Sequence, residues 1–148
     1  MNKKDQLLIR VLEKEGKLSS RKLAVKTTLP ISTVHRRVRN LEKQGVVKGY
    51  RAIINYEKTD RPIPLLVFIS LEEKNKKERY IPANRIKQEL KKIRDIHEIL
   101  DVQGGRWDLI IKARMEKLRD TEDLLERIRS IQGIEELSST IITEELLI

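Results

Sequence analysis

The fold is decided by "ISTVHRRVRNLEKQG", residues 31–45, which carries Arg36, Arg37, Arg39, Lys43 and His35 around a sparse apolar set. At about 100° per residue, Val34, Val38 and Leu41 make one narrow apolar stripe, so the spacing predicts a helix with a single face in a core. Ser32, Arg36, Arg39 and Lys43 fall roughly opposite that stripe, with His35 and Asn40 on its flanks. Arg37 lies nearer the apolar edge, where its stem packs or its head bonds a neighbour. Gly45 is the expected C-terminal cap.

Working outward, "KKDQLLIRVLEKEGK" (3–17) spaces Leu7, Leu8, Val11 and Leu12 as a helix that stops at Gly16. "SSRKLAVKT" (19–27) is a second short helix, with Ser19 or Ser20 as N-cap and Leu23 and Ala24 facing inward. Pro30 disfavours helical geometry at Leu29 but suits a first helical turn. "VVKGYRAIINY" (46–56) alternates β-prone residues around Gly49, a candidate wing hairpin or strand pair. Helix, short helix, tight turn, basic helix and wing describe a winged helix-turn-helix. Its third helix fits a DNA major groove, where Ser32, Thr33, His35, Arg36, Arg39 and Asn40 reach base edges. Lys43, Lys48 and Arg51 are placed to hold phosphates. The competing reading is a solvated basic face on an ordinary three-helix bundle.

Charge distribution favours the first reading. The 148 residues carry 32 Lys plus Arg against 23 Asp plus Glu, a net charge of +9. Residues 1–58 hold 15 of those basic residues and 5 of the acidic ones, leaving the remainder of the chain close to neutral. A basic module for a polyanion is thus joined to a neutral module with another task. With no cysteine there is no disulfide or thiolate metal site. No apolar run is long enough for a membrane helix, and no secretory signal is recognisable, so a cytoplasmic location is expected.

The expected layout is a helix-turn-helix domain over 1–54, a linker over 55–64 whose "TDRPIP" carries two prolines, and a second domain over 65–148. "LLVFISLE" (65–72) is an apolar strand, followed by a polar loop from Glu73 to Arg85. "RIKQELKKI" (85–93) is a helix with Ile86, Leu90 and Ile93 inward. "IHEILDVQ" (96–103) and "LIIKARM" (109–115) are strands flanking "GGRWD". "DTEDLLERIRSI" (120–131) is a helix capped by Asp120 or Thr121 and closed by Gly133. "IEELSSTIITEELL" (134–147) is a last strand or strand pair. The order β-α-β-β-α-β gives a ferredoxin-like fold, a sheet with two helices on one face. The uncovered face is apolar enough to predict a homodimer joined through the sheets.

Both halves resemble the Lrp/AsnC family of transcription regulators. In "LAVKTTLPISTVHRRVRNLEKQGVVKGY" (23–50), Leu23, Ala24, Ser32, Val34, Arg36, Arg37, Leu41, Glu42, Gly45, Val46 and Gly49 match that family's pattern. Two positions depart from it: Thr28 stands where glycine is usual, strained if its φ is positive, and Pro30 where serine is usual. The βαββαβ half resembles the family's RAM domain. The resemblance implies double-stranded DNA as partner, a homodimer with the octamer as higher assembly, and a small effector such as an amino acid. It places the effector at a turn matched by "GGRWD", hence at Gly104, Gly105, Trp107 and Asp108, with the alternative of a plain β-turn in which Trp107 anchors an interface. Of two hydroxyl positions the family often offers on its last strand, Leu137 replaces one and Ser139 keeps the other, while Ser138 and Thr140 point to the opposite face.

Catalytic constellations are thin. His35 and His97 fall in different modules, and no P-loop, dinucleotide glycine pattern or two-histidine metal motif occurs. The carboxylate pairs Glu72–Glu73 and Glu144–Glu145 are expected to be ordinary solvated charge. The reading is therefore a sequence-specific DNA-binding regulator without cofactor or metal. Its alternatives are an architectural protein coating DNA with little sequence preference, and an enzyme of the haem-pathway decarboxylase type, which shares Lrp-like folds.

Overall fold

The computed structural model describes residues 1–72 and 80–146. The chain divides into two compact units, one over Met1–Ile54 and one from Asn55 onward.

The first unit is three helices, α1 (Lys3–Glu15), α2 (Ser20–Thr27) and α3 (Ile31–Lys43). The Asn2 side chain caps α1 by accepting from Lys4 N–H at 2.9 Å, and Ser19 caps α2 by accepting from Lys22 N–H at 3.3 Å. Gly16 ends α1 at φ 68°. α2 ends on Thr28 at φ 54° and ψ 30°, a left-handed conformation that lets the N–H groups of Thr28 and Leu29 both reach Ala24 O. Gly45, at φ 70°, does the same for α3, with Val46 N–H donating to Leu41 O. Leu8, Leu12, Leu23, Ala24, Val34 and Leu41 form the buried core, each large side chain adding about 1.5–3 kcal/mol on burial. Of the apolar residues at helical spacing in α1, Leu8 and Leu12 are buried and Leu7 is 39% exposed.

The expected wing does not form within the chain. Residues 46–55 contain no strand, and the one sheet among the described residues belongs to the second unit. Gly49 does not adopt the positive φ that a two-residue hairpin requires. The segment is instead held against α3: Val47 N–H donates to Leu41 O, Val47 and Tyr50 pack on the core, and Tyr50 Oη donates to Glu42 Oε1 at 2.8 Å.

The second unit is the expected α+β arrangement: β1 (Ile63–Leu71), α4 (Ala83–Lys91), β2 (Ile96–Asp101), β3 (Leu109–Met115), α5 (Asp120–Arg129) and β4 (Ile134–Ile141). The sheet order is β2-β3-β1-β4, antiparallel throughout. Leu65, Val67 and Ile69 of β1 and Leu109, Ile111 and Ala113 of β3 turn one face toward Ile86, Leu90, Leu124 and Ile128 of the two helices. This is the ferredoxin-like packing that the element order predicts.

Boundaries differ where tertiary contacts intervene. The proposed linker is partly structured, with a 3₁₀ turn at Tyr56–Lys58 and with Ile63 and Pro64 already in β1, paired to Met115 and Arg114. Of the loop expected from Glu73 to Arg85, residues 73–79 lie outside the described residues, and α4 starts at Ala83. Ile93 packs on the core from beyond the end of α4. Neither expected residue caps α5. Arg119 occupies the cap position, Asp120 Oδ2 accepts from Lys117 N–H at 3.0 Å, and Thr121 Oγ1 is buried without a partner among the described residues. Glu145, expected to be solvated, accepts from Lys112 and Arg114.

Candidate nucleic-acid interface

α3 has Pro30 at its N-cap position and no side-chain cap bond, so among the described residues no side chain caps its first N–H groups. Along the helix, Ser32, His35, Arg36, Arg39, Asn40 and Lys43 are exposed, and Thr33 is half-buried at the edge. The side chains of Ser32, Thr33, Arg36, Arg39, Asn40 and Lys43 make no hydrogen bond or ion pair among the described residues. Their donors are therefore available in one strip along one face. His35 is less free, its Nδ1 lying 3.5 Å from Ser20 Oγ at the start of α2.

Arg37 is the exception, as its place near the apolar edge predicts. It is half-buried and donates through Nη1 to Asp5 Oδ1 of α1 at 2.8 Å. The basic residues of α3 thus divide by position: one ties the helix to the domain, and the rest point away from it. Lys48 and Arg51 are exposed on the segment that follows. Tyr50, beside them, has its phenol pushed up to about 12 by burial, reinforced by the Glu42 carboxylate it bonds. Lys17 Nζ lies 5.6 Å from the centre of that ring. Sequence reasoning passed over Tyr50, whose bond to Glu42 crosses the end of α3 and follows no helical spacing.

In the second unit the "GGRWD" turn joins β2 to β3. Gly104 has φ +96° and needs to be glycine, whereas Gly105 has no positive φ and nothing within 4 Å of its Cβ position. The Trp107 ring lies 5.9 Å from Phe68, and Arg106 lies over Trp107 at 5.0 Å while pairing with Glu136. Asp108 is engaged in scaffolding: its Oδ2 accepts from Leu71 N–H at 2.7 Å and its N–H donates to Ile69 O. The register pairs Ser139 with the inward-facing Val67, and Ser138 with Phe68. Ser139 therefore lies on the helix side of the sheet, and the structure does not bring it to Trp107. Ser70, which sequence reasoning missed, pairs with Glu136 on the Trp107 side, buried and with no partner for its hydroxyl among the described residues.

A three-helix unit presenting an uncommitted basic helix, followed by a ferredoxin-like unit, defines a two-domain DNA-binding regulator. Comparison with known proteins agrees: residues 1–48 match the family described as winged helix-turn-helix DNA-binding, and residues 66–147 match the Lrp/AsnC ligand binding domain. The chain belongs to the Lrp/AsnC family of transcription regulators, which are not enzymes. Among its relatives, the HTH-type transcriptional regulator FL11 of Pyrococcus abyssi is 30% identical over 131 residues, 88% of this chain and 82% of that one. The leucine-responsive regulatory protein of Haemophilus influenzae is 29% identical over 143 residues, 96% of this chain and 83% of that one. The feast or famine regulatory protein of Mycobacterium tuberculosis, solved with L-methionine, superposes with a TM-score of 0.83 at 29% identity, covering 99% of this chain and 94% of that one. Among the described residues, no helix is long and apolar enough to cross a membrane.

Proposed function

We propose that this regulator recognises specific double-stranded DNA sequences as a homodimer in the cytoplasm, and that a small zwitterionic effector of the amino-acid class modulates it. The observation that carries the DNA reading is the exposed strip of α3, whose donors the protein itself does not use. Arg36 and Arg39 act in the major groove, where a guanidinium offers two parallel donors to guanine. Ser32, Thr33, His35 and Asn40 supplement them, and Lys43, Lys48 and Arg51 bind phosphates. Two copies of α3 joined by a twofold read half-sites about 34 Å, one helical turn, or a multiple of it apart.

The dimer reading is supported by the sheet face opposite the helices, which exposes Leu66, Phe68, Leu100 and Ile110 in part. The effector reading is supported by the ligand-binding description of the matched domain and by the methionine complex of the mycobacterial relative. Gly104, Gly105 and Trp107 are its candidate contacts, and Asp108 shapes the turn.

The test is a salt-titrated gel shift on the DNA upstream of the protein's own gene, against a shuffled duplex of equal length. A preference for the natural duplex that survives about 0.15 M salt, where surface charges are already screened beyond about 8 Å, supports specific recognition. Equal binding that fades with salt on both duplexes supports architectural coating instead. For the effector, a panel of L-amino acids that moves neither the melting temperature nor the sedimentation coefficient refutes that part.

A further inference from the structure

By composition residues 55–64 are a spacer, but the second unit holds them. Lys58 N–H donates to Asn55 O at 3.2 Å and Thr59 N–H to Tyr56 O at 3.0 Å, closing the 3₁₀ turn. Thr59 Oγ1 donates to the same Tyr56 carbonyl at 2.8 Å and accepts from Arg61 N–H at 3.2 Å. Arg61 reaches the turn before β2, donating through Nη1 to Arg94 O at 3.3 Å, and Ile63 enters β1 opposite Met115. The Tyr56 ring adds the anchor. The Arg114 guanidinium of β3 lies 3.8 Å from its centroid, and the His97 ring of β2 meets it edge-on at 5.7 Å. Arg114 is 7% exposed, so this cation–π contact is made with little competition from water. On the other side, Tyr50 is tied to α3 through Glu42. Residues 51–54, between the two ties, form no helix or strand.

We infer that Tyr56 is a positioning residue for DNA recognition. By pinning residues 55–62 to the sheet unit it leaves 51–54 as the free tether, and so limits which separations of two half-sites a dimer can read. This rests on the DNA and dimer readings above. Four residues span at most about 13–14 Å, whereas the twelve residues 51–62, once released, span at most about 40–43 Å. Half a turn of DNA is about 17 Å along the axis and carries the second half-site to the far side of the duplex. A short tether cannot follow that displacement, and a long one can. The short tether also keeps the second reading helix at high effective concentration once the first has bound. Tyr56 touches no base in this account; it acts through the length of chain that it removes from play.

The experiment lets the full-length parent protein select its half-sites from random duplexes. The probes are then the selected site at its own spacing and the same site with about 5 bp, half a turn, inserted at its centre. Gel shifts give the affinities, and sedimentation velocity checks that each variant remains a dimer. The parent is expected to lose about tenfold or more in affinity on insertion. Tyr56→Ala should bind the uninterrupted site more weakly but lose less than about threefold on insertion. Tyr56→Phe keeps the ring face and edge and should behave as the parent does. A merely structural role would weaken both probes alike. Inserting about eight Gly/Ser residues after Ile54, with Tyr56 intact, should reproduce the tolerance without touching the second unit. The inference is overturned by a Tyr56→Ala or lengthened protein as sensitive to the insertion as the parent, or by a Tyr56→Ala monomer, whose ring would then serve assembly. A parent indifferent to the insertion overturns it too and leaves the DNA reading standing. A parent that selects no half-site overturns both.

Discussion

Thr28 is a β-branched residue in a conformation that suits glycine, at φ 54° and ψ 30°. A left-handed L-residue costs roughly 1–2 kcal/mol, and branching at Cβ puts threonine toward the upper end. Glycine removes that cost but introduces two others. It loses the Thr28 Oγ1 bond to Thr27 O, 2.7 Å long and part-buried, which is worth about 0.5–1.5 kcal/mol net. It also gives the unfolded chain more freedom, at about 0.5–1 kcal/mol. The overall change for Thr28→Gly therefore falls near zero, and the sharper test compares it with Thr28→Ala. Both variants lose the hydroxyl, and only alanine keeps Cβ. In a helix interior alanine is the more stable by about 1 kcal/mol. At position 28 the order should invert, with Thr28→Gly the more stable by about 0.5–1 kcal/mol after the entropy difference is subtracted. Urea unfolding at one fixed protein concentration, followed by far-UV circular dichroism, measures this without interference from assembly. A Thr28→Gly protein equal to or weaker than Thr28→Ala would refute the assignment of strain to this turn.

Arg39→Ala should cost roughly 1–3 kcal/mol of DNA affinity and relax sequence preference, whereas Lys48→Ala should weaken all duplexes about equally and flatten the salt dependence; an unchanged footprint and affinity for Arg39→Ala sinks the groove assignment. Asp5→Ala leaves Arg37 half-buried without its partner and should lower stability by about 1 kcal/mol while sparing net DNA contacts; urea midpoints unchanged within error would show the pair to be inert. At Gly133, φ +96° and Ile81 and Ile86 atoms 2.9 Å from a built Cβ predict a loss of about 2 kcal/mol or more for Gly133→Ala, against a change within about 0.5 kcal/mol for Gly105→Ala; equal midpoints for the two would contradict the packing. Because Tyr50 is raised to about 12, its protonated form is favoured by folding, so its contribution is complete below pH 10 and is lost between 10 and about 12. The gap in melting temperature between the parent and Tyr50→Phe should close over that window.

The helices of the first unit and the βαββαβ order were legible because each rests on periodicity, which needs only neighbouring residues. The division between Arg37 and the other arginines of α3 was legible for the same reason: its angular position alone turns it toward α1. The wing was not, since alternation in residues 46–55 signals an extended chain without naming what it pairs with. Glu145 was misread because Lys112 and Arg114 lie some thirty residues earlier, and only the β1–β3 and β1–β4 registers together bring them near. Ser139 shows the same limit on the smallest scale. Its parity along β4 is plain from sequence, but which parity faces Trp107 depends on the pairing with Phe68.

The ion pair between Arg37 and Asp5 fixes how α3 is rotated in its domain before any DNA is present. Complex formation then requires no backbone ordering in this helix, and its heat-capacity change should be that of a rigid docking rather than of coupled folding. On the proposed interface the entropic penalty falls on the long side chains of Arg36, Arg39 and Lys43, about 0.5–1.5 kcal/mol each when immobilised. Ions shed from the duplex must offset it, so calorimetry of this reading helix should show association driven by entropy at low salt and turning steadily less favourable as salt is added.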